Sequence, residues 1–228
     1  MLNLTPKRVT LFCGHYGTGK TNAAVNYAFY LKRALGKNVK IADMDIVNPY
    51  FRTKDSEKEL GEAGIELISP HYANTNVDLP ALPQELYGLF EFKDSYAVLD
   101  IGGDDRGALV LGRLRPAILE EGDYEMLLVI NMYRPLTPDP ESTVEVMREI
   151  ELAANMRFTG IINNSNLGRE TTAETVLASL PYAEEVSRLT SLPIVMTTAE
   201  QSVAKELDGR VKDLFPLALQ KNFIESKI

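Results

Sequence analysis

Short runs of apolar residues alternate along this chain with longer stretches in which apolar positions recur every three or four residues. The short runs predict strands at Val9–Cys13, Val39–Ala42, Ile65–Ile68, Ala97–Ile101, Met126–Asn131, Gly160–Asn163 and Ile194–Met196. They are bounded by turn residues and apolar on both faces, the pattern of a parallel sheet covered on both sides. The longer stretches predict helices near Thr21–Leu35, Arg106–Leu119, Ser142–Asn155, Thr172–Leu189 and Ser202–Phe223. Ser142 with Glu145, and Thr171 with Glu174, have capping-box spacing, and Pro138 and Pro140 suit the turn before a first helical turn. The stretch His71–Glu91, with prolines at 80 and 83, interrupts the alternation and reads as a loop with a short helix.

Strand–helix alternation of this kind gives an α/β fold of three layers, a mainly parallel sheet flanked by helices, with ligands beyond the carboxyl ends of the strands. No repeat, low-complexity tract or linker-like segment divides it, so residues 1–228 read as a single domain.

Composition narrows the function without naming it. The chain is 45% hydrophobic and 25% charged, an ordinary globular balance that argues against disorder. Its net charge of -8 disfavours nucleic acid as a partner, since phosphate neutralisation needs a basic surface. The single cysteine, Cys13, excludes an internal disulfide framework and any Cys-x-x-Cys metal site within one chain. No stretch approaches the roughly 18 apolar residues of a membrane span, and the N-terminus lacks the architecture of a secretion signal. The expectation is a soluble, cytoplasmic protein without a membrane partner.

One segment carries the chemistry most plainly. Gly14-His15-Tyr16-Gly17-Thr18-Gly19-Lys20-Thr21 fits G-x-x-x-x-G-K-[ST] in full, follows a predicted strand and opens a predicted helix. Its glycines let the backbone wrap round phosphates with the N–H groups inward, and the helix that begins near Lys20 adds a positive N-terminal dipole. Lys20 is expected to reach the β/γ-phosphates, and the Thr21 hydroxyl to coordinate Mg²⁺. Asn22 completes the candidate nucleotide-binding stretch.

Two acidic positions fit the same chemistry. Asp100, in Tyr96-Ala-Val-Leu-Asp100-Ile-Gly-Gly103, ends an apolar strand and is placed to hold Mg²⁺; Gly102 and Gly103 would let the backbone approach the γ-phosphate and move when it leaves. Asp104, Asp105 and Arg106 fall in the same segment, without a legible role. Asp43 and Asp45 follow the second strand, where a carboxylate can orient the attacking water or contact the metal. An extended chain is expected to turn only one of them towards the phosphates, and Asp45 is the choice.

Together the phosphate loop, Asp43-x-Asp45 and Asp100 with its glycines resemble the MinD/ParA/CobQ group of P-loop ATPases, from Val9 to about Leu207. The resemblance implies a mainly parallel sheet, ATP with Mg²⁺, and a nucleotide-dependent homodimer. It implies that Asp45 is the water-orienting aspartate and Asp100 the second metal-associated one. It also implies an adenine-binding asparagine at the end of the Gly160 strand, Asn164, with Asn163 the other candidate. Asn163-Asn-Ser-Asn166 lacks the lysine and aspartate of the guanine motif, which favours ATP over GTP. Many members carry a lysine directly after the first glycine that reaches the partner subunit; here the position is His15, followed by Tyr16.

The expected function is an ATP-driven switch, a Mg²⁺-dependent ATPase read by an unidentified protein partner. The alternative is a synthetase that uses ATP to activate a small-molecule carboxylate or hydroxyl, with His71–Asp78 a candidate second-substrate loop.

Overall fold

A computed structural model of the chain describes residues 5–44, 53–69, 84–91, 93–103 and 105–218. Among these, eight strands make one sheet: β1 (Val9–Cys13), β2 (Val39–Met44), β3 (Glu66–Ile68), β4 (Tyr96–Ile101), β5 (Tyr124–Ile130), β6 (Gly160–Asn163), β7 (Ile194–Glu200) and β8 (Leu214–Leu217). Their order is β3-β2-β4-β1-β5-β6-β7-β8, and every pairing is parallel. The helices are α1 (Lys20–Arg33), α2 (Glu57–Glu62), α3 (Gln84–Glu91), α4 (Asp105–Glu121), α5 (Pro140–Ala154), α6 (Ala173–Ala178), α7 (Leu180–Thr190) and α8 (Gln201–Leu207). Parallel pairing of this kind requires a crossover between strands, and the helices supply it while covering the sheet.

Period-two alternation divides the central strands between two cores. Val9, Leu11 and Cys13 of β1 face one core with Leu111, Leu114 and Ile118 of α4, Met147 of α5 and Val186 of α7. Phe12 faces the other, with Tyr27 and Leu31 of α1. Tyr27 is fully buried between Phe12 and Phe215, at centroid distances of 5.5 and 6.4 Å. Burying one such side chain contributes roughly 1.5–3 kcal/mol, so the helix that follows the phosphate loop is anchored along its whole length. β1 lies between β4 and β5, where the strand order changes direction. Ligand crevices open at such a point, beyond the carboxyl ends.

Several helix boundaries differ from expectation. The helix expected at Thr172–Leu189 is two, α6 and α7, broken at Ser179 with Pro181 in the first turn of α7; proline fits a first turn and not a helix interior. The helix expected at Ser202–Phe223 stops at Leu207. Gly209 turns the chain with φ 72° and β8 follows. α5 is capped by Asp139, whose side chain accepts from Ser142 N, rather than by Ser142 itself. α6 uses Thr172 with Thr175, one residue along from the expected Thr171 and Glu174. α2 has no counterpart among the helices that the apolar spacing predicts. No described helix is long and apolar enough to cross a membrane.

Candidate functional site

The phosphate loop runs from the end of β1 to the start of α1. Gly14 is irreplaceable on steric grounds: its φ is +149°, and an added Cβ would stand 2.4 Å from the Val129 carbonyl oxygen on β5. Gly19, in the left-handed region, serves as the N-cap of α1. The loop is tied to itself through the His15 carbonyl, which accepts from Thr18 N at 3.3 Å, Thr18 Oγ1 at 2.9 Å and Lys20 Nζ at 3.3 Å. Lys20 is only 4% exposed, so its ammonium is already within the loop that would receive a phosphate. Thr21 is buried beside it, Asn22 is half-buried in the first turn of α1, and Tyr16 stands half-exposed at the loop's tip. The His15 ring has its Nδ1 3.1 Å from Tyr16 O.

Asp100 on β4 is completely buried opposite this loop. Its Oδ2 accepts from Thr53 Oγ1 at 2.9 Å, while Oδ1 has no hydrogen-bond partner among the described residues. Burial and the neighbouring charge of Asp43 push its carboxyl up to about 7, against the opposing pull of Lys20 and the hydroxyls of Thr21 and Thr53. Asp43 and Asp100 are register partners on adjacent parallel strands, so both carboxylates face the same side of the sheet. Asp43 is 5% exposed, and its Oδ2 accepts from Lys54 N at 3.2 Å. Cys13, one residue before the loop, is a buried filler whose thiol is raised by burial.

Residues two apart on an extended strand share a face, so strand geometry does not turn Asp43 away from the phosphates in favour of Asp45. Asp43 stands beside Asp100, and Asp45 lies outside the described residues, as do Asp104 and His71–Asp78. Gly103 comes against the phosphate loop itself: a Cβ there would be 2.7 Å from Tyr16 N, 2.8 Å from Lys20 Nζ and 2.9 Å from Gly14 O. Any side chain at 103 would fill the cradle.

Asn164 is committed to the protein. Its Nδ2 donates to Thr18 O at 2.6 Å and its Oδ1 accepts from the Thr198 hydroxyl, which fixes the loop to the end of β6. Asn163 is likewise engaged, donating to Ser179 Oγ at 2.9 Å and accepting from Ser165 N at 3.2 Å. Beyond the carboxyl ends of β6, β7 and β8 lies a cavity of about 390 Å³, lined by Gly168, Arg169, Thr171, Glu200, Ser202 and Leu217 among others. It is two to four strands, on the order of 10–20 Å, from the phosphate loop. No motif pointed to it, because it is assembled from three separate loops.

Asn131 joins the two sides of this edge. It is fully buried after β5; its Oδ1 accepts from Tyr133 N and Asn166 N, and its Nδ2 donates to Asn166 O. Among the described residues no group of three or more His, Cys, Asp or Glu is disposed to hold a metal ion by itself.

No protein-family model matches the sequence, and no curated protein matches it either. Solved structures do share the fold. The 54 kDa signal recognition particle protein from Aeropyrum pernix, in complex with GDP, is 19% identical with a TM-score of 0.54, over 86% of this chain and 42% of that one. FtsY from Thermotoga maritima is 18% identical with a TM-score of 0.56, over 85% of this chain and 64% of that one. FtsY from Mycoplasma mycoides is 19% identical with a TM-score of 0.52, over 87% and 62%. The chain therefore spans less than two thirds of the length of each. Likeness at this identity establishes the α/β P-loop NTPase fold and nothing finer.

Proposed function

We propose that the chain binds a nucleoside triphosphate with Mg²⁺ in this loop and hydrolyses it as a nucleotide-driven switch, with ATP as the favoured nucleotide. The observation that carries the reading is the pairing of a buried Lys20 ammonium with a fully buried carboxylate oxygen, Asp100 Oδ1, that has no partner among the described residues. A buried polar atom without a partner costs on the order of 1–3 kcal/mol, and at Asp100, beside Lys20 and the phosphate loop, a ligand would satisfy it. The residues fit Mg²⁺: the Thr21 hydroxyl and Asp100 are hard oxygen donors too few to hold an ion alone, as suits a metal that arrives with phosphates. Bound there, Mg²⁺ supplies charge neutralisation to the phosphate oxygens.

The chain's own residues do the rest. Lys20 turns from the His15 carbonyl to the β/γ-phosphates, and the loop amides take the remaining oxygens. Asp45 is the candidate to orient the attacking water, and Asp43, beside Asp100, shares its face. Gly103 closes on the loop mouth, so a γ-phosphate that displaces or holds it gives the segment after β4 two positions, which is what a switch needs. The cavity at Gly168 and Glu200 is the natural place for the base, since Asn164 spends its amide on Thr18 and Thr198. The MinD/ParA-like type rests on the sequence resemblance, as do the choice of ATP and a nucleotide-dependent homodimer.

Phosphate release from Mg·ATP and Mg·GTP by the full chain tests the reading. Slow turnover of ATP, at least about tenfold above GTP in kcat/KM and raised on dimerisation or by a partner, is expected. Equal or faster use of GTP overturns the adenine preference, and rapid turnover indifferent to any partner overturns the switch.

A further inference from the structure

A second cation stands at the phosphate loop, contributed by a segment remote from it in sequence. Arg134 follows β5, in a turn held from several directions. Arg134 N donates to Asn131 O at 3.2 Å, Thr137 N donates to Arg134 O at 3.1 Å, and Thr137 Oγ1 donates to Asn131 O at 3.1 Å. From this rigid base the side chain extends to the middle of the phosphate loop. A Cβ built on Gly17 would lie 3.5 Å from Arg134 Nε and 3.7 Å from both Cδ and Cζ. The Nε atom is buried and has no hydrogen-bond partner among the described residues.

A guanidinium is unlike a lysine tip: it is always charged and presents several N–H donors in a planar fork that matches phosphate oxygens two at a time. Folding has brought that fork over Gly17 and left its buried nitrogen without an acceptor. In a chain of net charge -8, binding a polyanion depends on cations placed locally. Building on the triphosphate reading above, we propose that Arg134 is a nucleotide-binding residue that reaches over Gly17 to the terminal phosphates of a nucleotide held in the same subunit. Lys20 then serves these phosphates from within the loop and Arg134 from outside it. The second positive charge is supplied in cis, so triphosphate binding does not wait on a partner subunit.

Calorimetric titration of the full chain with Mg·ATP and Mg·ADP, for the wild type and for Arg134→Gln, Arg134→Lys and Lys20→Ala, tests this. Arg134→Gln is expected to weaken ATP about tenfold or more and ADP much less, so that the ATP-to-ADP affinity ratio falls. Arg134→Lys should recover part of the ATP affinity. The thermal unfolding midpoint without nucleotide should stay where it is, because no described contact of Nε is lost. Equal weakening of ATP and ADP together with a lowered midpoint would mean that Arg134 merely props the loop, and unchanged binding would mean it is a bystander; either overturns the inference while the triphosphate reading stands. A wild type that binds neither nucleotide, or Lys20→Ala binding as tightly as wild type, overturns that reading and this inference with it.

Discussion

The two ends of the same sheet treat buried charge in opposite ways. At the amino end, Arg8 ahead of β1 donates through Nε to Glu121 Oε1 and through Nη1 to the carbonyls of Leu89 and Ser95 at 3.0 and 3.2 Å. Its backbone N–H reaches Asp123, which also pairs with Lys7 at 3.0 Å, and Lys93 lies 3.6 Å from the other Glu121 oxygen. Among the described residues Arg8 Nη2 and Glu121 Oε2 make no hydrogen bond, so the two ends differ in the signs of the charges that meet rather than in complete pairing. Opposite charges meet, and both carboxyls are held below their ordinary range, Glu121 chiefly by its hydrogen bond from Arg8 and Asp123 by that from Lys7. At the carboxyl end, two aspartates stand side by side and Asp100 is raised instead. Charge that holds the fold is matched within the protein. At the carboxyl end the like charges are not matched by the protein, and strongly shifted groups of that kind gather at functional sites.

Substitutions at the two ends should therefore separate stability from function. Arg8→Ala strips the partner from a buried carboxylate and is expected to cost about 3–5 kcal/mol in urea unfolding. Nucleotide affinity, measured on the fraction that remains folded, should change less than about twofold. A large loss of affinity would erase the distinction between the ends. Asp100→Asn acts the other way. It keeps an acceptor for Thr53 but removes a like charge, so the unfolding midpoint should rise by about 2–8 °C, corresponding to ~1–2 kcal/mol. Mg²⁺-dependent phosphate release should fall by about a hundredfold, roughly 2.7 kcal/mol of barrier. A drop in both quantities would show that Asp100 is simply structural.

Gly103→Ala sharpens the picture at the loop mouth. Its Cβ must collide with the backbone at Tyr16 N and Gly14 O as well as with Lys20 Nζ, so turnover should drop about tenfold, with roughly 1–3 kcal/mol lost in stability. Full activity in that variant would deny the close approach any role. The smallest effect is acid sensitivity at the amino end. The folded pKa of Glu121 lies below its unfolded value, so its stabilisation is present above the ordinary glutamate range, near 4.3, and is lost as pH falls through the depressed value. Glu121→Gln should flatten stability against pH in that window; an unchanged slope would place the sensitivity elsewhere.

How much of this the sequence revealed depended on how local each feature is. β1 and β6 were legible to the residue because strands apolar on both faces have one place to go, between two helical layers. The spacing over Ser202–Phe223 predicts helix where β8 lies, because four residues with two apolar faces do not fix a period, and a proline at 216 is tolerated because β8 is an edge strand among the described residues. The phosphate loop was legible because its chemistry is contiguous. The nearness of Asp43, Thr53 and Arg134 to it was not, since strand register and two crossovers create that nearness. Asn164 shows the converse: the resemblance assigns it to adenine, whereas in this structure its amide is spent on Thr18 O and Thr198.

The central claim is that the carboxyl end of the sheet is a triphosphate site built round Lys20. Titrating Mg·ATP and Mg·GTP into the wild-type chain and into Lys20→Ala by calorimetry tests it most directly. One triphosphate bound per chain, with affinity falling about a hundredfold or more in Lys20→Ala at unchanged thermal stability, is the predicted result. Triphosphate binding of equal strength in Lys20→Ala, or none in the wild type, would contradict it.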